Sequence, residues 1–307
     1  MQIVIDTHFN SLEQLVEGVQ HFDFDFRLLG TEGFLGRVKQ LISADIFIGY
    51  ARFHRSLDQA GATPAGFRTF VIPGKDCLGF WWRGHSIKNN DLLIFPRSNE
   101  LHSSSGSDFE VFTVSIRETC LEQLADELGV SEIRENRHEV IHLDPGISHN
   151  LRMLAERIVK SNGGVKTIED SRLLAEKLTL KLSSDRAIKR PSLRKRDMAV
   201  NRIIEYVRNT QSPTPELAKL CRLARVSERT LQYAFREHYG IAPNTFVKRW
   251  KLNAVRQSLL LASQEADTVF SIAMDHGFHH QGQFSADYRE LFAELPSRTL
   301  EGPSFNL

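Results

Sequence analysis

The chain has 307 residues, 41% of them hydrophobic and 25% charged, with a formal net charge of +1. That profile excludes a disordered or collagen-like polymer and fits a globular protein. The longest apolar runs, such as residues 92–95, fall far short of the roughly 20 residues that a membrane-spanning helix needs. Residues 1–8 lack the basic-then-apolar pattern of an export signal, so the expected location is cytoplasmic, away from any membrane.

In chain order, residues 45 to 116 read as short strands. Residues 67–72 end at Pro73-Gly74, residues 91–95 end at Pro96, and residues 109–116 alternate for most of their length. Short strands punctuated by Gly, Pro, Asn and Ser predict a small β-barrel of cupin-like type or a sandwich. Within it lies the run Phe80-Trp81-Trp82-Arg83. One reading makes it core with a surface arginine. The other places Trp81, Trp82 and Arg83, together with Arg97 and His102, around a ligand mouth, because a pocket needs apolar walls with few polar anchors. His54, His85 and His102 raise a metal-dependent barrel enzyme, but no close His-x-His pair is present. The expectation is therefore no metal, no cofactor, no catalytic residue and no enzyme activity. Cys77, Cys120 and Cys221 form no CxxC pair and read as ordinary thiols.

Two amphipathic helices are predicted around 147–160 and 168–183. In the second, Leu173, Leu174, Leu178, Leu180 and Leu182 make an apolar face broad enough for a partner subunit as well as the core, which predicts a homodimer. The stretch 188–197, with Pro191, Ser192 and several basic residues, reads as a linker. It separates a sensor and dimerisation domain at 1–187 from an all-helical domain at 198–307, and the whole is an α+β fold.

Charge is unevenly spread over that second domain. Residues 194–256 carry 14 basic and 5 acidic side chains, whereas 257–307 carry 2 and 7. A basic block in an otherwise acidic chain is the footprint of a phosphate-contacting surface. The block contains a helix-turn-helix pattern at 215–239. Thr214-Pro215-Glu216 reads as its start, with Thr214 as the cap and Pro215 in the first turn. Leu217, Leu220 and Cys221 form an inner face, Ala224 and Val226 fill the turn, and Ser227 caps a second helix. There Leu231, Ala234, Phe235 and Tyr239 recur at helical spacing and must be buried. The opposite stripe is Arg229, Gln232, Tyr233 and Arg236. Arg and Gln carry the paired groups that match guanine and adenine edges in the major groove.

A second unit follows. Residues 269–278 form a short helix and a Gly-containing turn, and a further helix begins near 281 with Phe284, Tyr288 and Leu291 inward. Between the units, residues 244–261 form one amphipathic helix. At 1.5 Å per residue it spans roughly 27 Å, comparable to the roughly 34 Å between successive major-groove faces of a duplex. His276, His279 and His280 cluster at the second turn without acidic or thiolate partners at ligand spacing, and read as structural.

These residues carry a resemblance to the AraC/XylS family of transcription regulators: Leu217-Ala218, Val226-Ser227-Glu228-Arg229-Thr230-Leu231-Gln232, Phe235-Arg236, Gly240-Ile241-Ala242-Pro243, Ile272-Ala273, Gly277-Phe278, Phe284-Ser285 and Tyr288-Arg289. The resemblance implies two helix-turn-helix units on a long helix, entering adjacent major grooves of double-stranded DNA. It implies base contacts from Arg229, Gln232 and Tyr233 in the first unit and from Gln281, Gly282 and Gln283 in the second, with Arg236 and Arg289 on phosphate. Many members have a basic residue where Ala286 stands and a Gly where Ala293 stands. With the negative charge of the second unit, this leads to the expectation that the first unit supplies most of the affinity. The function expected is a sequence-specific DNA-binding regulator controlled by a small molecule in the N-terminal domain, with RNA polymerase as a partner if it activates. The alternative is a regulator without an effector, whose N-terminal domain serves only dimerisation or protein partners.

Overall fold

The computed structural model describes every residue except 20–22, 32–34, 76, 78, 83–84, 96–99, 131–138, 184–194, 211–214, 264–266 and 303–307. The chain opens with β1 (Gln2–Phe9), α1 (Leu12–Gly18) and β2 (Asp23–Leu28). It continues through β3 (Gly36–Ile42), β4 (Ile46–Phe53), β5 (Leu57–Ala62), β6 (Phe67–Pro73), β7 (Trp81–Trp82), β8 (His85–Ser86), β9 (Asp91–Phe95), β10 (Glu100–Ser105) and β11 (Phe109–Arg117). Next come α2 (Glu118–Glu127), β12 (Glu139–His142), α3 (Pro145–Lys160) and α4 (Val165–Ser183).

The strands form two sheets, with order β1-β3-β4-β11-β6-β9-β12 in one and β2-β5-β10-β7-β8 in the other. The larger sheet is covered on both faces, and this explains its unbroken apolar runs. Phe70 and Ile72, Leu92 and Ile94, and Phe112, Val114 and Ile116 point outward to α2, α3 and α4. Their neighbours Val71, Leu93, Phe95, Phe109 and Val111 point inward to the second sheet. A strict period of two thus hides inside sequences that look uniformly hydrophobic. Strands β1 to β3 lie before the 45–116 stretch that sequence pattern picks out.

Asp144 caps α3, its carboxylate accepting the Gly146 N–H at 2.8 Å with Pro145 in the first turn. On α4, Leu174, Leu178 and Leu182 are buried, while Ile168, Leu173 and Leu180 stay exposed. Of the expected linker, 188–194 lies outside the described residues and 195–197 already belong to the next helix.

After it come α5 (Lys195–Arg208), α6 (Leu217–Ala224), α7 (Glu228–Tyr239), α8 (Pro243–Leu261), α9 (Val269–Asp275), α10 (Gln281–Phe292) and α11 (Pro296–Glu301). Helices α5, α6 and α7 share one core of Val200, Ile203, Ile204, Val207, Leu220, Leu231, Phe235 and Tyr239 with the first half of α8. Leu252, Val255 and Leu259, in the second half of α8, join Ile272, Phe284, Tyr288 and Leu291. The expected start of α6 needs correcting. The helix begins at Leu217 with Glu216 in extended geometry before it and no side-chain cap, because Pro215 is buried rather than heading the first turn. Thr214 lies outside the described residues.

The two halves meet along α8. Asn253 lies against the free edge of β2 and completes it as a neighbouring strand would. Its carbonyl oxygen accepts the Leu28 N–H at 3.0 Å and its amide donates to the Leu28 carbonyl at 3.0 Å. One turn earlier Arg249 donates to the Leu29 carbonyl, and further along Arg256 pairs with Glu13 at 2.7 Å and Glu294 at 2.6 Å. Arg27 of β2 sits 4.1 Å above the Trp250 ring. Among the described residues, no helix is long and apolar enough to cross a membrane.

Candidate nucleic-acid interface

Helix α7 is where sequence and packing agree most closely. Ser227 caps it, its hydroxyl accepting the Thr230 N–H at 3.3 Å, and Gly240 ends it in the left-handed conformation at φ 71°. That backbone state costs a side chain about 1 kcal/mol, which glycine avoids. The turn before α7 uses the same state at Arg225, φ 56°. Leu231, Ala234, Phe235 and Tyr239 are fully or almost fully buried. By geometry their burial forces Arg229, Gln232, Tyr233 and Arg236 outward. Arg229 and Arg236 are exposed, Gln232 is half-buried, and Tyr233 is 60% exposed.

Tyr233 is held in place. The Arg196 guanidinium of α5 lies 4.9 Å over its ring and pairs with Glu237 at 2.9 Å. The first turn of α5 therefore stands beside the exposed stripe of α7, a contact the sequence did not signal. Exposed Arg222, Arg225, Arg229 and Arg236 surround this face, giving the positive potential that a phosphate backbone attracts.

The second unit is built on the same plan with different chemistry. Thr268 and Ser271 cap α9 reciprocally, and Phe284, Tyr288 and Leu291 anchor α10. Its polar side chains are engaged within the unit: Gln281 donates to the Phe278 carbonyl at 3.0 Å, and Gln283 donates to Asp287 at 3.0 Å. Gly282 is open to solvent and Arg289 is exposed. His276 bonds Ser258 at 2.9 Å, and His279 and His280 are exposed. Among the described residues no group of three His, Cys, Asp or Glu could hold a metal ion.

The residues expected around a ligand mouth are placed differently. Trp81 stacks on His238, at the buried end of α7, with ring centres 3.5 Å apart. Trp82 packs edge-on against Phe95 in the core, 5.2 Å away. His102 bonds the buried Asp58 at 2.9 Å and faces the same seam as Trp81. Arg83 and Arg97 lie outside the described residues. Aromatic and polar residues here dock one half of the protein on the other. Burial against Trp81 holds the His238 ring below the usual imidazole range, with Asp197 opposing that shift through a 3.0 Å hydrogen bond. Tyr239 is fully buried beside Asp58, which pushes its phenol well above the usual range.

A cavity of about 80 Å³ does lie between the two sheets, with aromatic walls from Phe24, Phe26, Phe53, Phe80, Phe95 and Phe109. Gln59 and Thr63 also face it. They are 8% and 5% exposed, and the Gln59 amide nitrogen and Thr63 hydroxyl have no hydrogen-bond partner among the described residues. These residues escaped sequence reasoning because Gln59 sits on β5, whose alternation is masked by Gly61 and flanking alanines, and Thr63 directly follows that strand. Burial pushes the Cys77 thiol up to about 12 and raises those of Cys120 and Cys221.

Two helix-turn-helix units on one rigid helix define a duplex-binding module. The family model described as a helix-turn-helix domain matches residues 220–302. The XylDLEGF operon transcriptional activator of Pseudomonas putida is 27% identical over 240 residues, spanning 75% of this chain and 73% of its own length. XylDLEGF operon transcriptional activator 2 of the same organism is 31% identical over 130 residues, 42% of this chain and 82% of its own. The solved structure of the AraC-like transcriptional activator CuxR covers 88% of this chain and all of its own at 14% identity, with a TM-score of 0.42. The chain belongs to the AraC/XylS family of DNA-binding transcription regulators.

Proposed function

We propose that this regulator reads its operator chiefly through α7 and responds to a small apolar molecule held between its two β-sheets. The observation that carries the reading is the split of α7 into a fully buried stripe and an exposed stripe of Arg229, Gln232, Tyr233 and Arg236. Arg229 and Gln232 contact base edges, Tyr233 supports them, and Arg236 meets phosphate. In the second unit Gln281 and Gln283 contribute less, since each would first give up an internal bond, and Arg289 reaches phosphate. Effector control is supported by the buried, unpartnered Gln59 amide and Thr63 hydroxyl, which are costly in an empty apolar cavity and offset when a ligand bonds them. In this reading residues 1–187 form a cupin-like sensing and pairing domain, 188–194 join it to the DNA-binding domain, and the residues from Lys195 onward read DNA. The exposed Ile168, Leu173 and Leu180 of α4 are the homodimer contact. The relatives named as activators support recruitment of RNA polymerase in the cytoplasm, and no catalytic step is assigned.

The test is selection of bound genomic fragments followed by titration of the recovered site. Arg229→Ala and Gln232→Ala should each weaken binding by about 1–3 kcal/mol at particular bases. Gln281→Ala and Gln283→Ala should cost less. A larger loss from the second pair, or no sequence preference at all, would overturn the assignment.

A further inference from the structure

A side chain that has to be ordered when a partner binds costs affinity, and one already held in place does not. Tyr233, 60% exposed on α7, is held by a residue from outside its own helix-turn-helix unit. Arg229, Tyr233 and Glu237 stand four residues apart and form one row along the outer side of α7. Arg196, on the first turn of α5, spans two members of that row. Its guanidinium carbon lies 4.9 Å from the centre of the Tyr233 ring, and its Nη1 pairs with a Glu237 carboxylate oxygen at 2.9 Å. A planar guanidinium covers a ring with its face while its edge meets a carboxylate, which an ammonium cannot do. The side chains of Arg196 and Glu237 are each 31% exposed, so either end of this clamp can be altered without emptying the core.

The turn that carries Arg196 is itself fixed. Asp197, the next residue, is hydrogen-bonded to His238 Nε2 at 3.0 Å, and Trp81 of β7 stacks on the same imidazole. Ala199, Val200 and Ile203, further along α5, pack into the core shared with Leu231, Ala234 and Phe235 of α7. Arg196 and Asp197 thus grip α7 from two sides, one at its exposed row and one at its buried end. The place of Arg196 over Tyr233 follows from that packing and not from the loose reach of a surface arginine.

We propose that Arg196 is a positioning residue for base reading: clamped to Glu237, it holds the Tyr233 ring in one orientation beside Arg229 and so sharpens the choice of operator. This role presupposes that α7 is the principal base-contacting helix, as proposed above. Charge and position make opposite demands on the clamp. By electrostatic attraction alone, removing the Arg196 cation weakens binding to every duplex, and removing the Glu237 anion strengthens it. As a clamp the two act together, and loss of either lowers the ratio of operator binding to random-duplex binding.

The experiment measures the affinity of the full chain for its selected operator and for a random duplex of equal length, at fixed salt. Glu237→Ala is the deciding variant. It should bind the random duplex at least as well as wild type, yet its operator-to-random ratio should fall by about two- to fivefold, the worth of an exposed cation–ring contact. Arg196→Ala should lower the ratio by a similar factor, and Arg196→Lys, which keeps a cation over the ring, should recover part of it. In Tyr233→Ala the clamp has no ring to hold, so adding Arg196→Ala should lower the ratio no further. An unchanged ratio in Glu237→Ala or in Arg196→Ala overturns the role, and so does a full additional loss when Arg196→Ala is combined with Tyr233→Ala. If Arg229→Ala, Gln232→Ala and Tyr233→Ala all leave the ratio unchanged, the reading of α7 itself fails and the role of Arg196 falls with it.

Discussion

Replacing Asn253 by alanine removes both hydrogen bonds that close the edge of β2. The Leu28 N–H and carbonyl, each 3.0 Å from the Asn253 side chain, lie in a buried setting where water cannot substitute. A buried backbone group left without a partner costs about 1–3 kcal/mol. Partial relaxation of the edge makes the lower part of that range appropriate, so the pair should cost about 2–4 kcal/mol. With a urea slope of about 3 kcal/mol per molar for a chain of this size, the unfolding midpoint should fall by about 1 M. Trp250 lies one turn from Asn253 and reports the transition by fluorescence. Gln257→Ala, an exposed change on the same helix, serves as control and should stay within about 0.5 kcal/mol. A midpoint for Asn253→Ala that equals the control would show that β2 is not clamped to α8 in solution, and the junction described above would be wrong.

Three further outcomes follow from local geometry. Ala293 ends α10 with φ 61°, in the left-handed region, so Ala293→Gly should stabilise the protein by about 0.5–1 kcal/mol in the same urea assay; a loss of stability would refute the strain. The His238 ring is held below its usual range in the fold, so the unfolded chain binds that proton more readily. Its contribution to stability is therefore complete above pH 6.5 and is lost as pH falls through that value. Melting temperatures taken from neutral to mildly acid pH should drop less steeply in His238→Gln than in wild type, with Asp197, Glu237 and Arg196 unchanged around the site. Gln59→Leu removes a buried unsatisfied donor while keeping volume, so it should raise the melting temperature without ligand and abolish any effector response; a clear fall in melting temperature would speak against an unpartnered amide there.

The C-terminal half was readable because its information is local. Caps, turns and the buried stripe of α7 recur at helical spacing, and each residue's environment is set largely by neighbours three or four positions away. The N-terminal half hides its organisation in long-range pairing. His102-Ser103-Ser104-Ser105 shows no apolar alternation, yet β10 sits in the middle of a sheet, with Ser103 toward the cavity and Ser104 bonded to Tyr239 of α7. Trp81 carries the composition of a ligand wall and serves as a docking face instead, a difference visible only when His238 is brought beside it. The junction left one trace in the sequence. Arg249, Asn253 and Arg256 place polar groups four and three residues apart on an amphipathic helix, the spacing of a second buried face.

Capping of β2 by α8 also bears on how the two halves behave when separated. An open strand edge is a template on which another chain can add by backbone pairing. In the intact molecule a single side-chain amide occupies that template, at the outer margin of the smaller sheet. Residues before α5, produced alone, would present the margin bare together with the apolar surface of Leu28 and Leu29, and they should associate with themselves. The DNA-binding half thus covers an edge that its partner half leaves open, and loss of solubility on truncation would reflect that uncovered edge rather than a misfolded core.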